Sequence, residues 1–138
     1  MQVSELMTKD PIVVSSDDSI VTAIDLMHEH NIRHLPVIDD EGTLVGMLSD
    51  RDARSVYLPY LREPEASEGG RRHLGEPVLT FMTSPPVAVD IESDASLAAE
   101  MMIEHRVGSL PVVDSDGALV GILSYVDLLR HYARLSAD

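Results

Sequence analysis

Laid against itself at an offset of 75 residues, the chain aligns 7–53 with 82–128 at 19 identities in 47 positions, without a gap. Met7-Thr8 falls on Met82-Thr83, Pro11 on Pro86, Glu29-His30 on Glu104-His105, and Leu35-Pro36-Val37 on Leu110-Pro111-Val112. Gly42, Leu44-Val45-Gly46, Leu48-Ser49 and Asp52 fall on Gly117, Leu119-Val120-Gly121, Leu123-Ser124 and Asp127. This is a tandem duplication, so the fold must use one supersecondary unit twice. A repeat of 47 residues is too small to bury a sheet face alone, which predicts two copies packed face to face about a pseudo-two-fold axis.

Each copy reads the same way. Ile20, Ala23, Ile24 and Met27 stand at i, i+3, i+4 and i+7, the apolar stripe of a helix that runs out near His30. Asp17 and Asp18 stand where a helix N-terminus favours acids. A short strand, His34–Ile38, then leads through Asp39-Asp40-Glu41-Gly42 into a second from Leu44 to Leu48; acids ending in Gly between apolar runs are hairpin chemistry. Pro36 restricts its strand to an edge or a strand start. After Ser49 the pattern turns helical, and in the second copy Tyr125, Leu128, Leu129 and Tyr132 make a clear stripe. A brief N-terminal helix and a strand around Ile12–Val14 complete the unit. Repeat 1 is thus expected over 3–62 and repeat 2 over 78–136, with 63–77 as linker. The polar, Gly-rich run from Pro64 to Gly75 reads as an exposed loop whose Arg71 and Arg72 are solvated.

Composition removes whole classes of function. With 24 Asp and Glu against 10 Lys and Arg, a net charge of −14 argues against DNA or RNA, and equally against an anionic membrane surface. There is no cysteine, hence no disulfide framework and no thiolate chemistry. No apolar run approaches the length needed to span a bilayer, and no basic segment leads into an apolar core at the start, so the expected location is the cytoplasm. Catalytic residues are not assigned: there is no Gly-rich phosphate loop, no Ser-His-Asp pattern and no carboxylate pair set for acid–base work. Nor is a metal site. His28 and His30 lie on opposite faces of one helix, a helix–strand break separates His30 from His34, and His30 and His105 suit helix C-termini. The seven methionines read as adaptable core packing.

The chemistry concentrates in Gly46-Met47-Leu48-Ser49-Asp50-Arg51-Asp52 and its repeat, Gly121-Ile122-Leu123-Ser124-Tyr125-Val126-Asp127. A Gly inside a β segment admits a close approach to the backbone. Ser49 with Asp52, and Ser124 with Asp127, put a hydroxyl, a carboxylate and free helix N–H groups at one strand-to-helix junction. Two readings stand: a capping box that needs no ligand, or a carboxylate that accepts hydrogen bonds from ribose hydroxyls.

Met-Thr-x-x-Pro, an amphipathic helix, Leu-Pro-Val-h-Asp (h, an apolar residue) and then Gly-x-Leu-h-Gly-h-h-Ser-x-x-Asp resemble the cystathionine-β-synthase (CBS) domain family. Two copies in tandem resemble a CBS pair, or Bateman module, and the resemblance leaves only the linker outside. It implies an α/β fold of two pseudo-symmetric repeats, each a small mixed sheet with two packed helices. It also implies a regulatory module, not an enzyme, that binds an adenosine-containing ligand (AMP, ADP, ATP, S-adenosylmethionine or NAD) in clefts between the repeats. No cofactor is required; the nucleotide is an effector, and whether Mg²⁺ accompanies it stays open. A homodimer signalling to an effector protein by conformational change is expected. The alternative is a ligand-independent dimerisation module read by a protein partner through its helical face.

By the same resemblance Asp52 and Asp127 bind the ribose, with Ser49 and Ser124 beside them in the ligand site and capping the helix in either case; Arg33 and His34 serve phosphate groups, and Arg51, Gly108 and Ser109 also belong to the ligand-binding set. Ile12, Val13, Val87 and Ala88 line the adenine or simply pack the core. At the positions of Arg33-His34 the second copy has Gly108-Ser109, without a cation, and Tyr125 replaces Asp50. The Asp52 site is therefore expected to prefer phosphorylated ligands, and the Asp127 site to be weaker, empty or suited to a less charged adenosine.

Overall fold

A computed structural model describes residues 1–62 and 74–136. The chain divides into two compact units, and the division does not follow the repeats: one unit is residues 12–86, the other joins 1–11 to 87–138. The expected loop at 64–75, with Arg71 and Arg72, lies almost wholly outside the described residues.

In the 12–86 unit, strand β2 (Val14–Ser15) leads to helix α2 (Ile20–His30), the hairpin β3 (His34–Ile38) and β4 (Leu44–Ser49), and helix α3 (Asp50–Arg62). The sheet order is β2-β3-β4, parallel then antiparallel. Ile20, Ala23, Ile24 and Met27, the stripe read from the sequence, are buried with Val14, Leu35, Val37, Leu48, Ala53, Val56 and Val78. Burial of this apolar face, at about 25 cal/mol per Å², is what holds α2 on the sheet.

The other unit repeats the plan: β5 (Val89–Asp90), helix α4 (Ala95–His105), β6 (Ser109–Val113), β7 (Leu119–Ser124) and helix α5 (Tyr125–Ser136). Before them in sequence come helix α1 (Val3–Leu6) and strand β1 (Thr8–Lys9), which pairs antiparallel with β7. The sheet order is β1-β7-β6-β5. Val3, Val89, Ala98, Met102, Leu110, Val112 and Leu123 form its core.

The hairpin turns match their sequence signature. Gly42 and Gly117 adopt φ of 81° and 80°, backbone that L side chains rarely enter. Asp39 Oδ1 accepts from the N–H groups of Glu41 and Thr43 at 3.0 and 2.9 Å, and Asp114 Oδ1 does the same for Asp116 and Ala118 at 2.9 Å.

Three local expectations are corrected. Pro36 lies in the middle strand, not at an edge or a strand start. Its partner Met47 spends both backbone groups on Thr83, so Pro36 and Met47 form a non-hydrogen-bonded pair, and pairing with β2 begins only at Val37. The missing N–H is therefore never needed. Asp17 and Asp18 do not enter helix α2; Ser19 is the N-cap, accepting from Thr22 N, while Asp18 Oδ2 accepts from Ser15 N at 3.0 Å to tie the turn before it. Ile12 and Val13 precede strand β2 instead of forming it.

Candidate functional site

Within each unit the residues singled out gather at one end of the sheet. In the 12–86 unit this is where β2 and β3 begin and β4 ends into α3. His34 stands opposite Ser49, and Arg33 C=O accepts from Asp50 N at 2.7 Å. Arg33 and His34 are thereby fixed beside Ser49 and Asp52. In the 87–138 unit Ser109 stands opposite Ser124, and Gly108 C=O accepts from Tyr125 N at 3.0 Å, so Gly108-Ser109 lie beside Ser124 and Asp127.

The turn itself is a reciprocal box in both units. Asp52 Oδ2 accepts from Ser49 N and Ser49 Oγ accepts from Asp52 N, both at 3.1 Å. Asp127 Oδ2 accepts from Ser124 N at 2.8 Å and from Ser124 Oγ at 3.1 Å, while Ser124 Oγ accepts from Asp127 N at 3.3 Å. The capping function is thus real. It uses only one oxygen of each carboxylate: among the described residues Oδ1 of Asp52 and of Asp127 accepts no hydrogen bond. A carboxylate held rigid through one oxygen, with the other open, is an acceptor oriented for a donor such as a hydroxyl.

The surroundings of the two boxes differ. In the 12–86 unit Arg33 and Arg51 are exposed and make no ion pair among the described residues. Asp50, the acid beside them, is paired instead with Arg54 at 2.6 Å, one turn along α3. His34 is half-buried, and burial first of all holds its imidazole below the ordinary histidine value; Asp50 and Asp52 raise it, and Arg33 lowers it further. At neutral pH it is an uncharged donor–acceptor, so positive charge at this turn comes from Arg33 and Arg51.

In the 87–138 unit Tyr125 stands at the start of α5 and Ser109 takes the place of His34. Ser109 is buried, and among the described residues its Oγ has no hydrogen-bond partner. A buried hydroxyl without a partner costs about 1–3 kcal/mol.

The apolar candidates separate into two kinds. Ile12 and Val87 pack against the cores of their respective units. Val13 and Ala88, equally half-buried, belong to neither core.

Gly46 and Gly121 have a different use from the one expected. A Cβ on Gly46 would lie 2.6 Å from Met82 Sδ and 2.9 Å from Thr83 O. On Gly121 it would lie 2.6 Å from Met7 Sδ and 2.9 Å from Thr8 O. What approaches the glycine backbone is the Met-Thr segment of the other copy, pairing through Thr83 with Met47 and through Thr8 with Ile122. The shared signal in the sequence was Met-Thr and Gly together, identical in both copies; the partnership between them was missed.

Among the described residues no helix is long and apolar enough to cross a membrane. A family model, the CBS domain, matches residues 3–58 and 78–134. A CBS domain-containing protein of Dictyostelium discoideum is 34% identical over 128 residues, covering 92% of this chain and 88% of that protein. The chain spans 32% and 24% of the length of two other curated relatives, both from Methanocaldococcus jannaschii. Among solved structures, CBSX2 of Arabidopsis thaliana in complex with AMP is similar at a TM-score of 0.80 and 32% identity, with 98% of each chain covered. The CBS domain pair of protein MJ0100, in complex with 5'-methylthioadenosine and S-adenosyl-L-methionine, is similar at 0.79 and 26%, with 96% of each covered.

Proposed function

The chain belongs to the CBS domain family, with two copies of the domain, and on that premise we propose that it is a regulatory module sensing an adenosine-containing ligand. The observation that carries this reading is the pair of Ser-x-x-Asp boxes, each holding a carboxylate with one oxygen open to ribose hydroxyls. The AMP, 5'-methylthioadenosine and S-adenosylmethionine of the two similar structures support the ligand class. Val13 and Ala88, outside the cores, are the apolar residues offered to the base.

The two turns take different ligands. Arg33 and Arg51 supply charge-assisted hydrogen bonds to a phosphate at the Asp52 turn, with His34 as a neutral partner. The Asp127 turn has no cation at the matching positions, and Ser109 brings a hydroxyl in want of a partner. It suits an adenosine without phosphate. Signalling is a population shift: the ligand favours whichever arrangement of the homodimer it binds more tightly, and an effector protein reads that arrangement.

Thermal-shift titration of wild type, Asp52→Ala and Asp127→Ala with AMP and with 5'-methylthioadenosine tests this. A ligand at about 100 times its Kd adds about 2.7 kcal/mol, a Tm rise of several degrees. AMP stabilisation is expected to vanish in Asp52→Ala, and 5'-methylthioadenosine stabilisation in Asp127→Ala. No shift at millimolar ligand would leave the boxes as helix caps and favour the ligand-independent dimerisation module.

A further inference from the structure

One titratable side chain at the Asp52 turn has no counterpart at the Asp127 turn. His34 stands opposite Ser49 across the β3–β4 ladder. Two residues from Pro36 and Met47, they form a non-hydrogen-bonded pair again, the kind that brings side chains closest; Ser49 N is spent on Asp52 Oδ2. Leu35 and Leu48, the next residues on the two strands, are buried in the core against α2, so His34 and Ser49 share the opposite face of the sheet. The imidazole is half-buried there, yet it makes no hydrogen bond and no ion pair among the described residues.

The charges around the ring explain why it is neutral and what would change that. Among the described residues Asp50 and Asp52 act on it from α3, and Arg33 from the residue before it. Asp50 is held by Arg54, and Asp52 is tied through Oδ2 to the backbone of Ser49. Neither carboxylate closes on the imidazole, so burial, with Arg33 beside it, keeps the free ring uncharged at neutral pH. A phosphate bound beside Arg33 and Arg51 brings close to two negative charges and three acceptor oxygens. Opposite charge at that range favours the imidazolium, which then donates a charge-assisted hydrogen bond of its own. Its extra proton comes from solvent. At the matching position of the other unit stands Ser109, which has no group titrating in this range.

We propose that the Asp52 turn binds a phosphorylated nucleoside together with a proton taken up by His34, so that this turn, and not the Asp127 turn, tightens as the pH falls. A group that holds its proton more firmly in the complex than in the free chain strengthens binding toward low pH, by at most about tenfold per pH unit. The module then responds to ligand and acidity jointly. This rests on the ligand reading above and adds a dependence which that reading does not require.

Isothermal titration calorimetry of the full chain with AMP at about pH 8 and about pH 6.5, both above the phosphate's own second pKa of about 6, is the test. Wild type is expected to bind AMP at least about threefold more tightly at the lower pH, with a heat that varies with the ionisation enthalpy of the buffer as the proton is absorbed. His34→Gln keeps a neutral hydrogen-bonding side chain, and His34→Ser installs the residue of the other unit; each is expected to bind AMP equally at both pH values. 5'-Methylthioadenosine, which has no phosphate, is expected to bind wild type equally at both. A flat AMP affinity in wild type, the same rise in a folded His34 variant, or a like rise for 5'-methylthioadenosine would each overturn the proposal and leave the ligand reading standing. AMP that fails to bind wild type at either pH would overturn both. Should His34→Gln fail to fold by circular dichroism, His34→Ser decides.

Discussion

The turn at Ser49–Asp52 and the turn at Ser124–Asp127 share one hydrogen-bonding box and differ in nearly everything around it. One stands among Arg33, Arg51 and a neutral His34; the other has Gly108, a buried Ser109 hydroxyl and Tyr125. After duplication the part that shapes the backbone was kept twice, and the side chains around it diverged. The same division separates Gly46 and Gly121, identical in use, from the first turns of α3 and α5, where Asp50 and Arg54 stand against Tyr125 and Leu129.

The largest effect expected is one that the two units share. Gly46→Ala and Gly121→Ala each drive a methyl group against a backbone oxygen of the Met-Thr segment. Each is predicted to cost about 1–3 kcal/mol in urea unfolding. A harmless Gly121→Ala beside a costly Gly46→Ala would break the equivalence of the units.

Ser109→Ala comes next and acts in one unit only. It removes a buried hydroxyl without a partner and is predicted to raise stability by about 1 kcal/mol, while weakening 5'-methylthioadenosine binding. A loss of stability would mean that the hydroxyl serves the fold and not a ligand.

A smaller gain is expected from Arg106→Gly. The residues ending α2 and α4, Asn31 and Arg106, have φ of 52° and 55°; asparagine enters that region at a lower cost than arginine. The variant is predicted to gain about 0.5–1 kcal/mol in the same unfolding experiment, with Asn31→Gly nearer neutral. Equal effects would show that the two helix ends are equally relaxed.

The smallest difference is a dependence on pH. His34 is held below its ordinary value by burial, so the folded chain prefers the neutral ring. Its contribution is complete above the unfolded value of about 6.5 and is lost as the pH falls, because the unfolded chain takes up the proton first. Stability of wild type minus that of His34→Ser is predicted to decline below that pH. A flat difference would contradict the burial of the ring.

Much of this was legible in the sequence because it is local. The offset of 75 residues gave the repeat, the Ile20–Met27 spacing gave a buried stripe, and Asp39–Gly42 gave a turn whose φ and hydrogen bonds agree. What stayed hidden depends on partners distant along the chain. Self-comparison aligns Met7-Thr8 with Met82-Thr83 but cannot tell which sheet either one completes. Pro36 was misjudged because a proline's tolerance depends on which side of the strand is paired, and that was set by Thr83. Ile12 and Val87 could not be told from Val13 and Ala88, since adjacent half-buried apolar residues differ only in the direction they face.

The crossed placement of the Met-Thr segments also bears on synthesis. Every strand of the 12–86 unit, with the Thr83 segment that pairs to Met47, is present once Pro86 has been translated. Residues 1–11 are made before that unit, yet Thr8 finds its partner only after Ile122 has been added. Domains generally fold as units during translation, and a pairing between segments so far apart in sequence carries a long loop-closure cost. The 12–86 unit therefore has all its strands first, and strand β1 stays unpaired until β7 has been synthesised.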